Sequence, residues 1–144
     1  MALLLPGVWR VACPQPTGSV WVGYLRGDER PAVARLAELL DRGTPVAVTS
    51  LVAQELLQGV AAGPAFERLE RYLSSQWRLE PADPWHAAVE AARMLGACRA
   101  AGVTVRSTLD CLIARLAIEH DVALLHDDRD FDAIARVVPE LRLA

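Results

Sequence analysis

The chain has 144 residues, 53% of them hydrophobic, and a formal net charge of −3; this suits one folded domain over 1–144 and excludes a disordered polyelectrolyte. All 15 basic residues are arginine, which excludes Schiff-base chemistry and a phosphate-binding P-loop, and the weak charge leaves nucleic-acid binding to a local basic patch. Three widely spaced cysteines, Cys13, Cys98 and Cys111, without a CxxC pair, read as buried thiols of a reducing compartment rather than disulfides or zinc ligands.

In chain order, Met1-Ala-Leu-Leu-Leu5 is cut short by Pro6-Gly7, so neither export nor a membrane crossing is expected and the protein is placed in the cytoplasm. Val11-Ala-Cys-Pro-Gln-Pro16 is a poor central strand, because each proline lacks the amide that a sheet interior uses. Pro45–Ser50 is a short β-prone run, and Ser50 is the expected cap of the apolar helix from Leu51 to Gly59. Gly63-Pro64 opens a helix to about Ser74, and Gln76–Glu80 reads as a strand ended by Pro81 and Pro84. An alanine-rich helix follows from Pro84 to Ala101, closed by Gly102, and a second spans Ser107 to His120. Val122–His126 is a continuous apolar strand of the type buried on both faces, followed by a short helix over Asp130–Val137 and a last strand at Leu141-Arg-Leu143.

Strands separated by helices predict an α/β fold with right-handed crossovers and a mainly parallel sheet covered on both faces. Ligands of such sheets sit beyond the carboxyl ends of the strands. Glu55 follows one strand end, and Asp127, Asp128 and Asp130 follow another. Asp110 falls in the first turn of its helix, where it can face the same edge. Carboxylates gathered this way repel one another and lose hydration, which a shared cation or proton relieves.

Four segments carry a family resemblance: Ser19-Val-Trp-Val-Gly-Tyr-Leu-Arg-Gly27, Val48-Thr-Ser-Leu-Val-Ala-Gln-Glu55-Leu-Leu-Gln-Gly59, Val103-Thr-Val-Arg-Ser-Thr-Leu-Asp110-Cys-Leu-Ile-Ala114 and His126-Asp-Asp-Arg-Asp-Phe131. In this order and spacing they resemble the PIN domain, most closely the VapC-type toxins of bacterial toxin–antitoxin pairs. The resemblance implies a three-layer α/β/α fold and a metal-dependent endoribonuclease, a homodimer neutralised by a cognate VapB-like antitoxin. It implies Mg²⁺, with Mn²⁺ as substitute, held by Glu55, Asp110 and Asp128 with Asp130 nearby. Hard cations of this type prefer oxygen ligands and polarise bound water. Ser107 matches a position beside the family's metal site, while Arg106 and Arg129 are the candidates for phosphate, since a guanidinium engages two oxygens at once.

One position departs from the family. Its first strand normally ends in an Asp-Thr-Ser-like triplet whose aspartate is a principal metal ligand; here the triplet is Thr17-Gly18-Ser19. Threonine offers a neutral oxygen and no charge, and Pro6 before Gly7-Val8-Trp9 supplies no acid either. Residues 1–18 are therefore an atypical segment, and the expected activity is weakened, with a catalytically degenerate domain that binds antitoxin or RNA as the alternative. Plainer roles stand beside each site residue. Ser107 and Asp110 have the spacing of a capping box, Asp128 and Asp130 suit a helix N-terminus, and His126 suits a hydrogen-bonded structural histidine. Trp21, Trp77 and Trp85 suit packing or an interface, and Arg68, Arg71 and Arg78 a solvated face. A phospho-accepting receiver domain, the other fold with acids at strand ends, needs a lysine that this chain lacks.

Overall fold

The computed structural model describes residues 13–144; Met1–Leu5, Gly7-Val8-Trp9 and Val11 lie outside the described residues. The elements run β1 (Gln15–Pro16), α1 (Gly18–Arg26), α2 (Pro31–Asp41), β2 (Ala47–Thr49), α3 (Ser50–Leu57), α4 (Pro64–Ser74), β3 (Trp77–Leu79), α5 (Pro84–Ala100), α6 (Thr108–Glu119), β4 (Leu124–Leu125) and α7 (Arg129–Val137). Helices α1 and α2 add to the elements expected from sequence. Local chemistry sets the boundaries. Proline opens α2, α4 and α5, where its missing N–H has no helical partner to lose. Gly27 ends α1 at φ 75°, a left-handed conformation that glycine adopts without a Cβ penalty. Asp83 caps α5 by accepting from the Trp85 and His86 amides.

All strand pairs among the described residues are parallel. β1 pairs with β4 in the register Gln15 to Leu124, and β2 pairs with β3 in the register Ala47 to Trp77. Leu143 adds a parallel bridge to Leu124, where the final strand was expected. The prediction for Val11–Pro16 is corrected: Gln15–Pro16 lies between β4 and β2, in the middle of the sheet. The Gln15 and Thr17 amides donate to Ala123 and Leu125 of the β4 segment, whereas Pro14 faces β2 and accepts from the Ala47 amide. Successive residues of a strand bond to opposite sides, so Pro14 and Pro16 remove donors only from the β2 side. The pairing there thins to the Ala47 to Pro14 bond, and the ladder divides into two halves, β1–β4 and β2–β3.

Helix α1 packs on both α2 and α3, and α3 packs on α4, while α5, α6 and α7 form a second mutually packed group. The core joins both groups through Trp21, Leu36, Val46, Val52, Cys98, Cys111, Leu124 and Ile134, each essentially inaccessible to solvent. Trp21 presents its ring edge-on to Tyr24 and Tyr72 at 6.2 and 6.1 Å, so it is a packing residue, while Trp77 and Trp85 are exposed. The cysteines are free and buried. No helix among the described residues is long and apolar enough to cross a membrane.

Candidate metal centre

Three strand-to-helix junctions lie at the carboxyl ends of the strands. β1 is followed by Thr17, the cap residue of α1; β2 runs directly into α3, which carries Glu55; and β4 leads through His126 and Asp127 to Asp128, the cap residue of α7. Helix α6 enters from the opposite helical group and brings Asp110 in its first turn. The N-termini of α6 and α7 thus both point their positive ends at the acids.

Carboxylate oxygens of Asp110, Asp128 and Asp130 all lie within 4.8 Å of one another. Glu55 stands outside that set but lines the same cleft of about 430 Å³ with Gln54, Gln58, Ser107, Asp110 and Asp128. Burial, and then the charges of Asp128, Asp130 and Glu55, push the Asp110 carboxyl up to about 6, with Arg106 pulling in the other direction. Among the described residues no hydrogen bond or ion pair engages the side chains of Asp110 or Glu55. They are the free acids of the cleft.

The other two acids are partly committed. Asp128 accepts from the Asp130 amide as the cap of α7 and from Arg106 Nη2. Asp130, 7% exposed, accepts the Arg106 amide at 2.8 Å and Arg106 Nε at 3.2 Å. A buried carboxylate needs such partners to stay ionised. Arg106, expected at phosphate, joins the α5–α6 connection to the start of α7 through these bonds, while most of its side chain stays exposed. Arg129 is exposed at the first position of α7 and has no ion-pair partner among the described residues. Ser107 is the cap residue of α6, but its side chain makes no capping bond, so a capping box does not form, and Ser107 lines the cleft.

Two further expectations are corrected. The cap of α3 is Thr49, whose Oγ1 accepts the Val52 amide at 3.2 Å; Ser50 is already helical and donates to Glu80 instead. His126 is not satisfied by hydrogen bonds: Nδ1 is buried without a partner among the described residues, and Nε2 lies 3.7 Å from Asp132, beyond hydrogen-bond reach. Its ring packs on Phe131. Arg68, Arg71 and Arg78 are exposed, as a solvated face requires.

Sequence reasoning missed a second charge cluster beside the first. Asp127 turns away from the cation-sized cluster and accepts from Ser19 Oγ at 2.6 Å and from Arg30, which also donates to the Ser19 carbonyl and to Asp28. This clamp ties the β4–α7 loop to α1. Arg30 and Asp127 are 97 residues apart in the chain, and no motif links them. A larger cavity, about 540 Å³, lies between α3 and α4, lined by Ala53, Leu57, Phe66 and Leu73; it shares Gln54 and Gln58 with the acid cleft but contains none of its acids.

The model of the PIN domain matches residues 18–137, which spans every element from α1 to α7. The chain belongs to the PIN domain family. Its relatives include VapC ribonuclease Mb1587 of Mycobacterium bovis and ribonuclease VapC11 of Mycobacterium tuberculosis, each 38% identical over 123 residues covering 83% of this chain and 89% of the relative. Among solved structures, the crystal structure of VapBC2 from Rickettsia felis bound to a DNA fragment from their promoter superposes with a TM-score of 0.63 at 19% identity, covering 92% of this chain and 97% of that one. That likeness concerns the fold, and it agrees with the α/β/α arrangement of parallel strands between helices. In this PIN domain the residue that follows β1 is Thr17, 3% exposed, with its hydroxyl 3.3 Å from Ser19 Oγ. The end of β1 brings no carboxylate to the cleft.

Proposed function

We propose that the chain is a VapC-type endoribonuclease, a toxin that hydrolyses RNA phosphodiester bonds and is neutralised by a VapB-like antitoxin. The observation that carries the reading is the convergence of Asp110, Asp128 and Asp130 within 4.8 Å in a PIN domain whose relatives are named ribonucleases. The donor set fits a hard divalent cation: it is all oxygen, and burial and mutual repulsion leave Asp110 in need of a positive neighbour. Glu55, Asp110 and Asp128, with Asp130 behind them, are the residues that hold Mg²⁺, or Mn²⁺ in its place. The ion's contribution when bound is Lewis acidity: polarisation of water and neutralisation of phosphate charge.

The chain's own residues do the rest. Asp130 and Arg106 fix the spacing of the α6 and α7 N-termini, so that Asp110 and Asp128 face one cleft. Arg129, exposed beside Asp128, is the guanidinium free to meet an RNA phosphate, and Ser107 and Gln58 line the cleft with neutral donors. The Trp and Leu side chains left on the surface, Trp77, Trp85, Leu25 and Leu109, suit contact with an antitoxin and with a second copy in a homodimer.

Thr17 in place of an acid favours a second reading, a PIN domain that keeps its partners and has lost cleavage. Incubating RNA with the purified chain in Mg²⁺, and in parallel with Asp110→Asn, separates the two. Metal-dependent cleavage by the native chain that disappears in Asp110→Asn is expected, at a rate below that of relatives with the complete acid set. Equal RNA turnover by both proteins, or none by either, would overturn the nuclease reading.

A further inference from the structure

Position 18 departs from the Asp-Thr-Ser-like triplet together with position 17, and the structure shows what fills the space. A Cβ built on Gly18 would fall 1.8 Å from Glu55 Oε2 and 2.4 Å from Glu55 Cδ. The Glu55 carboxylate therefore occupies the volume that any side chain at position 18 would claim. Gly18 is the first residue of α1, a nine-residue helix with no acid in its own first turn. Its conformation is an ordinary helical one, so backbone strain gives no reason for glycine there. The neighbouring position 17 is where the charge has been lost.

We infer that Gly18 is a positioning residue that lets Glu55 settle against the start of α1 and supply, one residue along, the carboxylate that Thr17 does not. This rests on the reading of the acid cleft as a divalent-cation site. The geometry has three parts. Helix α3 presents Glu55 from the β2 side, α1 and α3 are in direct contact, and the carboxylate is free of other partners among the described residues. The positive end of α1, which an aspartate at position 17 would have faced, receives the Glu55 charge instead. The obstructing atoms are the far end of a flexible side chain, so a methyl group at position 18 costs the fold little and simply evicts Glu55.

The test uses Mn²⁺ alone as probe, by calorimetry on the purified full chain, with the metal-free melting temperature as control. Gly18→Ala is expected to lower Mn²⁺ affinity tenfold or more while leaving the metal-free melting temperature unchanged or higher. Glu55→Gln should lose as much, and the double variant no more than Glu55→Gln alone, because both remove the same contact. Thr17→Asp should rescue either variant, since a carboxylate at the end of β1 makes the borrowed one dispensable. Undiminished Mn²⁺ affinity in Gly18→Ala overturns the inference, as does failure of Thr17→Asp to rescue Glu55→Gln, which also decides the matter if Gly18→Ala lowers the melting temperature. Native protein whose Mn²⁺ binding is absent, or unaffected by Asp110→Asn, overturns the cation-site reading and the inference with it.

Discussion

Replacing Asp110 by asparagine should stabilise the metal-free protein at neutral pH. The Asp110 carboxyl is pushed from its ordinary 3.8 up to about 6 by burial and by the acids around it, so ionising it in the folded chain is harder than in the unfolded chain. The folded state binds more protons between those two values; stability is therefore full below 3.8, falls as pH rises through 6, and stays reduced above it. A shift of that size corresponds to about 3 kcal/mol at 1.36 kcal/mol per tenfold change in proton affinity. Partial exposure brings solvent screening, which reduces the penalty to about 1–2 kcal/mol. Asparagine keeps the shape and removes the charge. For a domain of this size the expected gain is about 3–8 °C in melting temperature at pH 7.5 in chelator-treated buffer, falling to about half at pH 5. Thermal melts of both proteins across that pH range read the effect, and added Mn²⁺ should reverse the order by stabilising only the native chain. An asparagine variant less stable than the native chain in metal-free buffer at pH 7.5, or a gain that does not shrink on acidification, would refute the claim that burial and the surrounding acids make the Asp110 charge unfavourable in the folded chain.

Arg106→Gln should raise the Asp110 pKa further, because Arg106 is the group that lowers it; carboxyl NMR titration of the metal-free protein reads the change, and an unmoved or lower value counts against that role of Arg106. Trp21→Ala, which empties a fully buried site between Tyr24 and Tyr72, should cost about 3–5 kcal/mol in urea unfolding, and a loss under 1 kcal/mol would show that the α1 face of the core can collapse. Cys13 and Cys111, whose thiols burial pushes up to about 11, should resist iodoacetamide at pH 8 in the native protein and react on unfolding; rapid native alkylation would contradict their placement in the core.

Much of the fold was legible because each local signal agreed with its neighbours. The Pro84 and Gly102 boundaries of α5 and the Asp128 cap of α7 fall where the structure has them, and the apolar run Val122–His126 contains the shorter strand β4, Leu124–Leu125. Where sequence reading failed, the reason was directional. Pro14 and Pro16 argued against a central strand, yet their missing amides point only towards β2, and the β4 side keeps its bonds through Gln15 and Thr17. In the site, topology was enough to expect Glu55, Asp110, Asp128 and Asp130 at one edge of the sheet, and the structure gathers the three aspartates with Glu55 lining the same cleft. Spacing could not reveal that Arg106 pairs with two carboxylates, or that Asp127 is claimed by Arg30 and Ser19 from a distant part of the chain. Nor could it show that Gly18 matters through a side chain on another helix. Each of these depends on which face a side chain takes after folding.

Manganese anomalous diffraction from a crystal of the chain soaked in MnCl₂ tests the acid cleft as a cation site most directly. A peak bounded by Asp110, Asp128 and Glu55, absent from crystals of Asp110→Asn, is the predicted result. No peak there at millimolar Mn²⁺, or one at an unrelated surface position in both proteins, would contradict it.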